Sequence, residues 1–192
     1  MKIGDMVFGI INSISHDDLA ILTEASVSSN PAALVTDGAE FDFAGIRFIR
    51  LGEEQGGILC VTKDATERMV FNNDWKNNNY GDSEVRKYIL QCFVSKLPRA
   101  ELLPYEMDLK SSSDPRDGYG CCTDMAGILT EELYRKYIRF IHVDDWEWLC
   151  TPYSSFLENP WVRYVSTSGY VNNNNADNAF RCRPTCIFKK II

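Results

Sequence analysis

Apolar positions come in short runs broken by turn residues, the pattern of many short strands rather than of long helices. Residues 6–14 are apolar and stop at Ser15-His16-Asp17-Asp18. Residues 19–23 form a second short run, and Ser28-Ser29-Asn30-Pro31 punctuates it. Residues 46–51 and 58–62 flank Glu53-Glu54-Gln55-Gly56-Gly57, which predicts a β-hairpin around a Gly-Gly turn. Residues 146–151 and 162–170 read as further strands, with Ser168-Gly169 as a turn before Tyr170-Val171.

Helical periodicity occurs twice. Val85, Tyr88, Ile89, Cys92 and Phe93 recur at three and four residues, so one apolar face is expected. Asp82 or Ser83 caps that helix, Glu84 lies in its first turn and Pro98 lies beyond its end. Residues 130–137 predict a second short helix capped by Thr130. Residues 108–124, rich in Ser, Asp, Gly and Pro, read as loop.

The closing segment is the most distinctive. Two strand-like runs flank a polar loop, Asn172-Asn173-Asn174-Asn175-Ala176-Asp177-Asn178. After it, Phe180, Cys182, Pro184, Cys186 and Phe188 point one way by alternation, and Arg181, Arg183, Thr185 and Ile187 the other. Residues four apart in a strand are separated by roughly 13 Å, beyond the ~7 Å reach of a disulfide. Cys182 and Cys186 are therefore expected to stay unpaired. Pro184 cannot donate to a ladder and predicts an edge or a bulge.

Composition narrows the function classes. The chain has 192 residues, 45% of them hydrophobic and 12% aromatic, which suits one domain with a real core. Net charge is −7 with no basic tract, which argues against nucleic acid or an anionic membrane as partner. No secretory signal and no membrane-length apolar run are evident, so the cytoplasm is expected, or a virion if the gene is phage-borne. The seven cysteines lack Cys-x-x-Cys pairs and read as reduced, mostly buried thiols.

Several motifs in order resemble a known family. Phe71-Asn72-Asn73-Asp74-Trp75 followed by Asp82-Ser83-Glu84-Val85-Arg86 resembles the Asn-x-Trp … Asp-Ser-x-Leu-Arg segment of a family of uncharacterised domains of gut bacteria and their phages. Trp148-Leu149-Cys150-Thr151-Pro152 resembles its Trp-Leu-Arg-Ser-Pro, with Cys150 in place of Arg. Tyr164-Val165, Gly169 and Arg181-Cys182-Arg183-Pro184 resemble its ending, with Arg181 in place of Gly. The likeness spans about residues 45–190, leaving 1–44 as N-terminal strands or an extension within one 1–192 domain. It implies an α+β, C-type-lectin-like fold, with two helices packed on twisted antiparallel sheets and neighbouring termini. It further implies a non-enzymatic ligand-binding protein of phage or prophage type.

The expected binding residues form two groups. The first is Tyr170, Asn172, Asn173, Asn174, Asn175, Asp177 and Asn178; amides both donate and accept, which suits sugar hydroxyls or a polar protein ligand. Tight turns would explain the same asparagines without a ligand. Their codons are adenine-rich, which would suit diversification by a retroelement. The second group is Trp75, Asn77, Asn78, Asn79 and Tyr80, where Trp75 serves either as a stacking ring or as a core anchor. Glu158-Asn159-Pro160 is not the Glu-Pro-Asn of calcium lectins. His142, Asp144, Asp145 and Glu147 would bind metal only if they converge. Neither a catalytic set, nor a metal, nor a cofactor is assigned, and homo-oligomerisation stays open. The alternatives are a structural or assembly protein of a phage particle, and a cysteine oxidase of the formylglycine-generating type using Cys182 and Cys186.

Overall fold

The computed structural model describes residues 30–155 and 160–190. The runs expected at 6–14 and 19–23, and the Glu158-Asn159 pair, lie outside them. The early strands are β1 (Glu40–Phe43), β2 (Ile46–Glu54), β3 (Gly57–Thr62) and β4 (Met69–Val70). Helix α1 (Glu84–Tyr88) follows, then β5 (Leu102–Leu103), β6 (Tyr105–Lys110), β7 (Gly118–Asp124) and helix α2 (Glu131–Tyr137). The chain closes with β8 (Glu147–Pro152), β9 (Trp161–Val165), β10 (Val171–Asn175), β11 (Ala179–Cys182) and β12 (Thr185–Phe188). The class is α+β. All strand pairings are antiparallel except β8–β11.

The first sheet has the order β1-β2-β3-β12-β5. Its β2–β3 hairpin turns on Gln55 and Gly56, both at positive φ (49° and 80°), which matches the twist of the flanking strands. The expected five-residue turn is thus two residues long. A bulge in β2 brings Gly52 under Tyr137 of α2, whose ring would lie 2.9 Å from any added Cβ. Phe48 and Phe43 meet Phe188 edge-on at 5.4 and 5.3 Å, so β1 belongs to the same core as the C-terminal strand.

Helix α1 starts where its cap residue predicts: the Arg86 amide donates to Ser83 Oγ at 3.0 Å. It then widens into a π-type turn over Ile89–Phe93. The wider turn rotates the apolar stripe, so Ile89 and Phe93 are buried while Cys92, expected on that face, is exposed. Thr130 caps α2 through the Leu133 amide at 3.2 Å.

Two expectations are corrected. The loop expected over 108–124 is confined to residues 111–117: its two ends belong to β6 and β7, which form a hairpin. Strand β6 alternates, with Tyr105, Met107 and Leu109 buried, but β7 is mostly exposed and carries no apolar period. Residues 180–188 are not one strand either. Strand β11 lies in the second sheet, of order β10-β9-β8-β11-β4, whereas β12 lies in the first. The break falls at Arg183-Pro184, where proline has no N–H to continue a ladder. Strand β12 is buried on both faces between β3 and β5, so Thr185 and Ile187 are interior as well.

Arg183 locks this crossover. Its Nε and Nη2 donate to both Glu147 carboxylate oxygens (2.9 and 2.6 Å), its Nη1 to the carbonyls of Thr62 and Lys63, and its Nη2 also to His142 O. All five guanidinium N–H groups are thereby used. Burial pushes the Glu147 carboxyl above the usual range, although the Arg183 guanidinium pulls against it. The Asn30 amide donates to Lys189 O at 2.7 Å, which ties the segment before β1 to the one after β12.

Candidate functional site

The asparagine run is a strand. Asn172, Asn173, Asn174 and Asn175 form most of β10, the edge of the second sheet, and the loop behind it is only Ala176, Asp177 and Asn178. This corrects the expected loop, and the pleat divides the run. Asn172 lies opposite Tyr164 and Asn174 opposite Val162; Asn173 lies opposite Arg163 and Asn175 opposite Trp161. Side chains opposite each other share a face. Asn172 and Asn174 therefore join the aromatic face of Tyr164, and Asn173 and Asn175 join the face of Arg163.

These residues are not equally available. Asn174 Oδ1 accepts from the Asn175 amide (2.9 Å) and from Asn178 Nδ2 (3.0 Å), so both Asn174 and Asn178 stabilise the turn into β11. Among the described residues the side chains of Asn172, Asn173, Asn175 and Asp177 have no intramolecular partner, and Asn172 and Asp177 are exposed. Tyr170, just before β10, is 73% exposed.

The second expected group dissolves into structure. Asn77 and Asn79 accept from the backbone two residues on, at Asn79 N (3.0 Å) and Gly81 N (2.9 Å), as Asn does in tight turns. Asn78 is interior at 1% exposure. Its amide donates to Ser154 O (2.7 Å) and Trp161 O (2.9 Å), and its Oδ1 accepts from Tyr119 OH (2.7 Å). Tyr80 is fully buried against Phe71. Trp75 is the exception. It is 46% exposed with the Lys76 ammonium 5.3 Å from its ring, so it does not anchor the loop in the core.

The acidic candidates go to separate partners. Glu147 holds Arg183. Asp145 holds Arg68 (2.5 Å) and Arg181 (3.2 Å), and His142 and Asp144 pair with each other at the surface. Cys182 and Cys186 lie in different sheets, both buried. Burial pushes the Cys182 thiol up to about 12 and raises Cys186 likewise, which is the opposite of a reactive thiolate.

Two features lie outside the expected binding residues. One is a cleft of about 320 Å³ between β6, the start of α2 and β8, with Lys110, Ser112, Glu131, Arg135 and Thr151 among its walls. Glu131 is its most heavily bonded carboxylate, held by Arg163 and Arg135. Burial pulls that carboxyl up, but hydrogen bonds from Arg163, Arg135 and Ser112 outweigh the burial and leave it lowered. Through Arg163 the cleft adjoins Asn173. The other is Trp146, 39% exposed, with its ring tilted against Tyr164 at 5.3 Å and edge-on to Phe180 at 5.1 Å. Its position two residues before Trp148, on the same side of an extended segment that leads into β8, was the available clue.

No helix among the described residues is long and apolar enough to cross a membrane. Compared with known proteins, the chain matches no family model, no curated protein and no solved structure.

Proposed function

We propose that this protein is a non-enzymatic binding module of phage or prophage type, recognising its ligand along the β10 edge. The observation that carries this reading is the edge itself. A strand of four consecutive asparagines ends the sheet, the side chains of three of them (Asn172, Asn173 and Asn175) have no partner among the described residues, and the strongly exposed Tyr170 stands at its start. Tyrosine and asparagine supply contact area and adaptable hydrogen bonds at small entropic cost.

The test is a triple variant, Tyr170→Ala, Asn172→Ala and Asn173→Ala, screened with the parent against immobilised bacterial surface proteins and glycans. The parent should bind at least one of them and the variant should not. Surface changes of this kind cost within about 0.5 kcal/mol each, so Tm should fall by no more than about 6 °C. Equal binding by the variant refutes the reading.

A second reading, an assembly protein of a phage particle, is favoured by one observation. Strand β10 carries no charge, no proline and no bulge, the devices that usually block edge-to-edge pairing. Light scattering of the intact protein showing a stable oligomer, dissociated by Asn173→Pro, would support it. A monomer at high concentration would refute it.

A further inference from the structure

We infer that the aromatic face beside β10 is a saccharide-binding platform centred on Trp146, a deepening that rests on the β10 reading above. The indole is exposed yet fixed. Tyr164 and Phe180 support it at 5.3 and 5.1 Å, its amide donates to Asp145 Oδ1 at 2.8 Å, and its carbonyl accepts from the Arg181 amide at 2.9 Å. Holding a partly exposed ring on both backbone and side chain removes the ordering cost that a ligand would otherwise meet.

The register shows what surrounds it. Glu147 pairs with Val165, so one residue earlier Trp146 falls opposite Ser166; the Ser166 amide in turn donates to Tyr170 O at 2.9 Å. Continued one residue past the ends of β8, β9 and β10, the register puts Trp146, Ser166 and Tyr170 in one row, with Tyr164 and Asn172 in the next row on the same face. Two strand spacings separate Trp146 from Tyr170, on the order of 10 Å. That is the span of an oligosaccharide rather than of one sugar ring.

The chemistry favours sugar over other partners. The face of an indole is electron-rich and accepts the C–H edge of a pyranose. On the same face the exposed Asn172 amide and Tyr170 phenol, which have no partner among the described residues, donate and accept like sugar hydroxyls. The adjacent carboxylate, Asp145, is already matched by Arg68 and Arg181. A protein ligand would be expected to meet an apolar core patch, whereas this surface interleaves rings with amides.

The experiment is native electrophoresis of the whole protein in gels cast with soluble glucan, mannan, galactan or xylan. At least one polymer should retard the wild type. Trp146→Ala should weaken that retardation roughly tenfold or more, Trp146→Phe should keep most of it, and Trp75→Ala should change nothing. Should Trp146→Ala fail to fold, Asn172→Ala at an exposed position carries the test, with a several-fold loss expected. Failure of all four polymers to retard the wild type overturns the platform. So does retardation that survives Trp146→Ala or, where that variant fails to fold, Asn172→Ala. If the Tyr170/Asn172/Asn173 variant loses a ligand that Trp146→Ala still binds, the platform is wrong and the β10 reading stands. If Trp146→Ala abolishes sugar binding and the triple variant keeps it, the β10 reading is wrong.

Discussion

Replacing Glu147 by alanine tests the crossover between the two sheets. The substitution leaves Arg183 buried, with a side chain only 6% exposed, and strips two of its acceptors. Breaking a buried ion pair by removing one partner typically costs about 3–5 kcal/mol, because the remaining charge stays desolvated. Against a usual total of about 5–15 kcal/mol that is a large fraction. For a chain of this size it corresponds to a fall in Tm of about 6–20 °C. The measurement is urea unfolding followed by circular dichroism, with a lower midpoint and an unchanged m-value expected. Arg183→Met should also be strongly destabilising, since it frees the carbonyls of Thr62, Lys63 and His142 as well. The double variant should cost less than the sum of the two, by about 2 kcal/mol or more. A loss below about 1 kcal/mol for Glu147→Ala would be the value of a solvent-screened surface pair and would refute the lock.

Three further outcomes follow from the geometry. Asn78→Ala removes three hydrogen bonds and should cost at least about 2 kcal/mol in chemical denaturation; a neutral result would mean Asn78 is not the tie between β9, Ser154 and Tyr119. Native thiol titration should show Cys92 and Cys121 reacting fast and Cys122 more slowly, with Cys60, Cys150, Cys182 and Cys186 silent until unfolding; rapid labelling of Cys182 or Cys186 would revive the oxidase alternative. Because the Glu131 carboxyl titrates lower in the folded than in the unfolded chain, its stabilisation is complete above an unfolded pKa of ~4.3 and drains away as pH falls through the folded value. Glu131→Gln should therefore flatten the acid limb of a Tm-against-pH curve, and equal slopes would refute this.

The legible parts of the fold were those with local causes. Ser83 and Thr130 capped the helices they were expected to cap, and the Gln55-Gly56 hairpin formed where apolar runs flanked a turn. What stayed hidden depended on partners far along the chain. Strand β7 lies exposed on β6 and so shows no period. The Phe180–Phe188 run alternates perfectly, yet Pro184 hands it from one sheet to the other, and local periodicity cannot say which sheet a strand joins. At the site, the asparagines were visible as a composition. Their division between two faces needed the register with β9, and the role of Trp146 needed the rings of Tyr164 and Phe180 beneath it.

The central place of β12 has a consequence for how the chain acquires its structure. Cys60 pairs with Cys186 across about two thirds of the sequence, and the same strand must also receive β5. During synthesis the ribosome can release β1, β2 and β3 as a meander, but the slot beside β3 stays empty until residues 185–188 emerge. Until then the β3 edge is an apolar template open to any passing strand. Folding should therefore be slow and dominated by non-local closure. Premature termination shortly before residue 185 should yield aggregates rather than a shortened native protein.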